Sequence, residues 1–310
     1  LPFAAMAMLA GCLANEELDI QEPESPEREV REVIITANIA DRQDDTRTSR
    51  NESDLKNYWS PGDKITIFSA GESGVFTSLN TEPQTTAKFI GNISYITGNS
   101  NDDEDSKDYV WGLYPYSEGA TYAEPDGVSR TARITTTYTD IHNGVAGTFG
   151  DGLAVMIGRA ESLATPFRGA YSGAFFMVNR DDIVSMTLKG LNNEVLAGTA
   201  TIGLDSNNLP KVYDVTNPKT SVTVIAPNGT FEKNKNYYII TLPDVPLPDG
   251  YSVTIQRSDG YEGTYKIQAN RPLNRIMFRN LSDPVDVRIE NQANIRVGKS
   301  TGWIQSSTQQ

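Results

Sequence analysis

The residues that could do chemistry are few. Cys12 is the one thiol in 310 residues and His142 the one imidazole. A single cysteine permits no intramolecular disulfide framework and no cysteine-based zinc cluster, and a single histidine leaves little scope for a histidine-dependent triad. The run "NSNDDEDSKD" at 99–108 gathers Asp102, Asp103 and Asp105. It lacks the glycine and closing glutamate of a calcium-binding loop and reads as a solvated charge run. No G-x-S-x-G, P-loop or H-E-x-x-H pattern is present, and His142, in "TDIHNGVAG", reads as a loop residue. No catalytic residue, metal or cofactor is expected, and the chain is not expected to be an enzyme. A net charge of -13 repels phosphate backbones, so nucleic acid is not an expected partner.

Cys12 has a chemistry of its own. It ends a short apolar run and comes after Leu9, Ala10 and Gly11. The run falls far short of the ~20 residues that span a bilayer, and has the pattern of a secretory leader. "LAGC" resembles a bacterial lipobox, in which the cysteine thiol takes up diacylglycerol and the chain is cut before it. The other reading is a free cysteine in an ordinary leader. Without an initiator methionine or a positive flank, the leader is expected to begin further upstream. Residues 1–12 are thus read as a truncated lipoprotein signal. Residues 13–32 are rich in Glu and Pro, show no apolar period, and read as an acidic linker. Glu16 and Glu17 resemble the acidic surface-export signal of Bacteroidetes lipoproteins.

From Val33 onward the chain must be built from strands. "VIITANI" puts Val33, Ile35, Ala37 and Ile39 on one face. "DKITIF" (63–68), "TAKFIGNISYI" (86–96), "YVWGLYPY" (109–116), "ARITTTY" (132–138) and "LAVMI" (153–157) continue the period of two, with turn signals such as "SPGD" and "GESG" between them. A second series runs from "GAFFMV" (173–178) through "VDVRIE" (285–290) and "NIRV" (294–297). Hydrophobic content of 38%, with 14 Tyr and 10 Phe, supplies a folded core. Residues 159–166 contain a proline and no strand pattern, which places a boundary between β-sandwiches at 33–160 and 161–310. Residues 165–310 are then expected to fold alone.

Several segments, in this order, resemble the fimbrillin family, the type V pilin superfamily of Bacteroidetes. The lipobox precedes an acidic linker. "VIITANI" is followed by the polar stretch "DRQDDTRTSR", then "YWSPGDKITIF" and "WGLYPYS". In the second half, "IVSMTLKGLNNEVLAGTATI" and "NYYIITLPDVPLPDGYSVTIQRSDG" complete the likeness. The resemblance implies an all-β chain of two tandem transthyretin-like β-sandwich domains. It implies export as a lipoprotein to the outer membrane and cell surface, a role in adhesion as a shaft or anchor subunit of a pilus, and assembly by protease-triggered donor-strand exchange. Expected partners are other pilin subunits, the membrane through the lipid on Cys12, and a host protein or glycan.

On that resemblance the displaced first strand carries Val33, Ile35, Ala37 and Ile39. Arg42, Arg47 and Arg50 are the processing candidates for a trypsin-like protease, or else members of an ordinary solvated loop. The C-terminal "NIRVGKSTGWIQSS" supplies Ile295, Val297, Trp303 and Ile304 as donor-strand candidates. Two readings of this segment stand: a strand donated to a neighbour, or the last strand of its own sandwich. The alternative function is a surface glycan-binding lipoprotein of an outer-membrane uptake system. In it Trp59, Trp111, Trp303 and the tyrosines of "YPYSEGATY" would form sugar platforms.

Overall fold

The computed structural model describes residues 30–41, 58–69, 71–94, 108–150, 152–281 and 303–305. These residues are nearly all β-structure, with one short 3-10 turn at Ser129–Thr131. Cys12, Arg42, Arg47, Arg50, Asp102, Asp103, Asp105, Ile295 and Val297 lie outside the described residues.

Seven strands close into a barrel. In ring order they are β1 (Val30–Ile39), β10 (Ala164–Gly169), β9 (Met156–Ala160), β5 (Val110–Tyr114), β2 (Lys64–Ser69), β3 (Glu72–Ser78) and β4 (Thr86–Ser94). The interior obeys the period of two. Ile35, Ala37, Ile65, Ile67, Phe76, Phe89 and Phe167 are fully buried there. Trp59 fills one region of this core, with the rings of Phe89, Tyr114 and Phe167 each edge-on at 5.1–5.3 Å. The turn that leads into β2 has the chemistry its sequence announces. Pro61 sets one central φ, Gly62 takes a φ of 79°, and the Asp63 amide returns to the Ser60 carbonyl at 3.2 Å.

Three further sheets surround a second core. One has six strands: β20 (Trp303–Gln305), β18 (Glu262–Ile267), β17 (Tyr251–Arg257), β12 (Ile183–Gly190), β15 (Ser221–Ile225) and β8 (Ile141–Asn143). A second has β14 (Pro210–Lys219), β13 (Ala197–Leu204), β7 (Arg133–Tyr138) and β6 (Thr121–Ala123). The third has β16 (Asn236–Thr241), β11 (Ser172–Met177) and β19 (Phe278–Asn280).

Some of these strands form walls common to both cores. On β5, Val110 and Tyr114 point into the barrel, while Trp111 and Leu113 point into the second core. Gly112 also faces the barrel, where a Cβ would stand 2.3 Å from the Phe167 ring. β11 and β16 do the same: Phe176, Tyr237 and Ile239 join the second core, and Phe175, Tyr238 and Ile240 the first. A strand buried on both faces reads as a continuous apolar run, which is why "GAFFMV" and "NYYIITL" barely alternate.

The structure departs from the sequence-based expectation in two ways. A closed barrel stands where a two-sheet sandwich is expected at 33–160, because β1 bonds β4 on one side and β10 on the other and so leaves no edge. The stretch 159–166 is not strand-free. It contains the end of β9 and the start of β10, paired from Gly158–Phe167 to Met156–Gly169. Pro166 is accommodated because the register with β9 begins only at Phe167, so the missing N–H breaks no bond of that ladder. Strand pairing also crosses position 160: β7 bonds β13 and β8 bonds β15.

Candidate functional site

The seat of β1 is the feature of the molecule with the clearest functional geometry. On one side β1 runs antiparallel to β4 over nine register positions, from Val30 opposite Ser94 to Asn38 opposite Thr86. On the other it runs parallel to β10, from Thr36 opposite Ala164 to Ile39 opposite Phe167. Of the predicted face, Ile35 and Ala37 are fully buried and Val33 and Ile39 half-buried. Ile34, on the opposite face, is 48% exposed. Burial of an aliphatic side chain contributes about 1.5–3 kcal/mol, so the strand is held by a few side chains and a ladder on each edge.

The end of the strand is pinned by groups that sequence reasoning missed. Ala40 donates its amide to the Phe167 carbonyl at 2.8 Å. Asp41 is buried; one carboxylate oxygen accepts the Gly169 amide and the other accepts Arg275 Nη1 at 2.9 Å. The same Nη1 donates to the Gly169 carbonyl at 2.9 Å. Arg275 in turn is fixed by its own amide, which donates to Asp244 Oδ1 at 2.7 Å. The side chains of Arg275 and Asp41 are 14% and 2% exposed. Breaking such a pair from one side leaves a buried charge uncompensated, at a typical cost of about 3–5 kcal/mol. No local pattern could have revealed it, since the partners stand 234 residues apart.

Trp303 and Ile304 lie in β20, the edge strand of the six-stranded sheet, antiparallel to β18 with Ile304 opposite Thr264. Within the chain this segment therefore pairs with its own sheet. Trp59 and Trp111 are fully buried, so neither is a sugar platform; Trp111 Nε1 donates to the Ser129 carbonyl at 2.8 Å. His142 is in β8 and not in a loop; burial pushes its pKa down. Tyr116 is exposed and lines, with Tyr58, Tyr114, Phe149 and Asp63, a cavity of about 510 Å³ beside the mouth of the barrel.

No protein-family model matches the chain, and no curated protein does. Among solved structures, a protein from Bacteroides ovatus provisionally assigned to cell adhesion superposes with a TM-score of 0.47. The match covers 90% of this chain and 100% of that one at 12% identity. A likeness this distant carries no weight for function.

Proposed function

We propose that the chain is a pilin-like subunit, lipidated at Cys12, borne on the outer membrane, and assembled into an adhesive surface fibre when its first strand is removed and replaced by a strand from a neighbour. The observation that carries this reading is the position of β1. Among the described residues it alone joins β4 to β10, so its loss turns a closed barrel into a groove with two unpaired edges. An extended segment from another subunit would restore both ladders and refill the sites of Ile35 and Ala37, the chemistry of strand addition. Arg42, Arg47 and Arg50 fall within nine residues after Asp41 in sequence, where one cut would part β1 from the rest. In this reading the barrel corresponds to the first of two tandem transthyretin-like units, and the sheets around the second core to the other. Ile295, Val297, Trp303 and Ile304 would supply the donated strand, which requires β20 to leave β18.

The test is limited trypsin digestion of the whole chain, then electron microscopy. Cleavage between Arg42 and Arg50 should be followed by filaments. Replacing Arg42, Arg47 and Arg50 together by Ala, or ending the chain after residue 290, should abolish them while leaving a folded monomer. Filaments from the truncated chain would remove the C-terminus as donor; cleaved protein that stays monomeric would end the reading.

The cavity lined by Tyr58, Tyr114, Tyr116 and Asp63 favours a second reading, a surface glycan binder. Aromatic walls with a carboxylate suit a neutral sugar ring. Here binding would need no proteolysis, and titration of the uncut protein with oligosaccharides decides it.

A further inference from the structure

The pair of Asp41 with Arg275 joins two segments that the strand-exchange reading treats separately. Asp41 stands just past the end of β1. Arg275 stands three residues before β19, the last strand of its sheet in the chain. Between Arg275 and β19 lies Ile276, which holds a φ of 58°. That region is costly for a β-branched residue and persists only where the surroundings enforce it. Three contacts enforce it here. Arg275 is anchored on Asp41 and on the Gly169 carbonyl, and the Ile276 amide donates to the Tyr171 carbonyl at 2.6 Å. The Ile276 side chain is 7% exposed and belongs to the barrel core.

Beyond the strained residue the chain turns straight into β19. Phe278 stacks on Phe149 at 5.0 Å and meets Tyr238 edge-on at 5.5 Å. β19 then runs parallel to β11 over Gly173–Phe278 to Phe175–Asn280, and the Leu281 amide reaches the Phe175 carbonyl at 2.8 Å. It is a strand of three residues on one edge of its sheet, so few bonds hold it once its approach moves.

We infer that Asp41 and Arg275 form a latch that couples the seating of β1 to the pairing of β19 with β11. When β1 leaves with Asp41, Arg275 loses its counter-charge in a largely buried setting. The guanidinium then gains by turning out to water. That movement lets Ile276 leave the left-handed region and drags Phe278 from its aromatic seat. The two arrangements are discrete, and each end biases the other by the same factor. For its purpose the latch rests on the strand-exchange reading: the signal that the acceptor groove has opened would reach the segment leading to the chain's C-terminal residues.

The experiment is hydrogen exchange followed by mass spectrometry on the full, uncut chain, comparing the parent with Asp41→Asn and Arg275→Gln. Asp41→Asn should raise exchange about tenfold or more in β19 as well as in β1, and Arg275→Gln should raise it in β1 as well as in β19. β17, which touches neither partner, should be unchanged, and the double variant should add nothing beyond either single one. If Asp41→Asn does not fold, Arg275→Gln alone decides through β1. A rise confined to the strand nearest the substitution overturns the latch. This readout uses neither cleavage nor filaments. A latch that fails while cleaved protein polymerises leaves strand exchange standing, and an intact latch in cleaved protein that stays monomeric means the reverse.

Discussion

Single residues carry constraints that composition cannot express. Gly112 is required because the Phe167 ring occupies the place of its side chain. Gly112→Ala should cost about 1–3 kcal/mol in urea unfolding, the usual range for overpacking, and Phe167→Leu in the same chain should restore part of it. Asp182 lies between Arg180 Nε at 2.7 Å and Arg257 Nε at 2.8 Å. The Arg180 bond first, then the charges of both guanidiniums, lower its pKa from 3.8 to about 2. A carboxylate depressed on folding stabilises the protein above its unfolded pKa and ceases to do so as pH falls through its folded one. Stability should therefore decline between about pH 4 and pH 2 by an increment that Asp182→Asn removes, with urea midpoints at each pH as the measure. Little of this is legible in the sequence. The aromatic residues are visible there, but whether Trp59 and Trp111 face water or core depends on partners such as Phe167, far along the chain.

At the scale of elements, alternation tells most. β1, β2, β4, β7, β12 and β17 fall where a period of two places them. The pattern fails where a strand has unusual surroundings. β14, with Pro210 and Pro218 near its ends and four charged or amide side chains among ten residues, is an edge strand with mostly exposed positions and so has no apolar face to announce it. β10 is hidden by Pro166, and β3 by the turn-like "GESG". "RIMFRNL" yields only Phe278–Asn280, because Ile276 leaves extended geometry. The register of β1 gives a sharp test. Ile34→Asp should change the melting temperature little, since that side chain is 48% exposed. Ile35→Asp, one residue on and fully buried, should prevent cooperative folding, as an unpaired charge in a core does. Equal effects would mean that β1 is out of register.

For the molecule as a whole, the two cores share β5, β11 and β16, and β6, β7 and β8 complete sheets made otherwise of later strands. The sequence shows two series of strands and suggests a break between them. It does not show that strands from the first series close sheets of the second, because pairing at that range leaves no local trace. Residues 165–310 alone lack β6, β7 and β8, and would expose the second-core face that receives Trp111, Leu113 and Ile157. That fragment should give no cooperative melt by circular dichroism, whereas residues 108–310 should recover part of one. A sharp transition in the shorter fragment would show that the shared walls are dispensable.

The covalent continuity of β1 has a consequence for timing. As long as the peptide chain runs unbroken from Asp41 to Tyr58, the barrel always has its own strand at hand. A tethered segment of this kind competes at an effective concentration of order millimolar, which no free neighbour at micromolar levels can match. Breaking the chain after Asp41 leaves the described pairings of β1 with β4 and β10 in place. It turns the return of β1 into a bimolecular event, subject to dilution like any other ligand. On the strand-exchange reading proposed above, subunits would then stand beside one another without joining, with hydrolysis of one bond setting the moment after which they compete on equal terms.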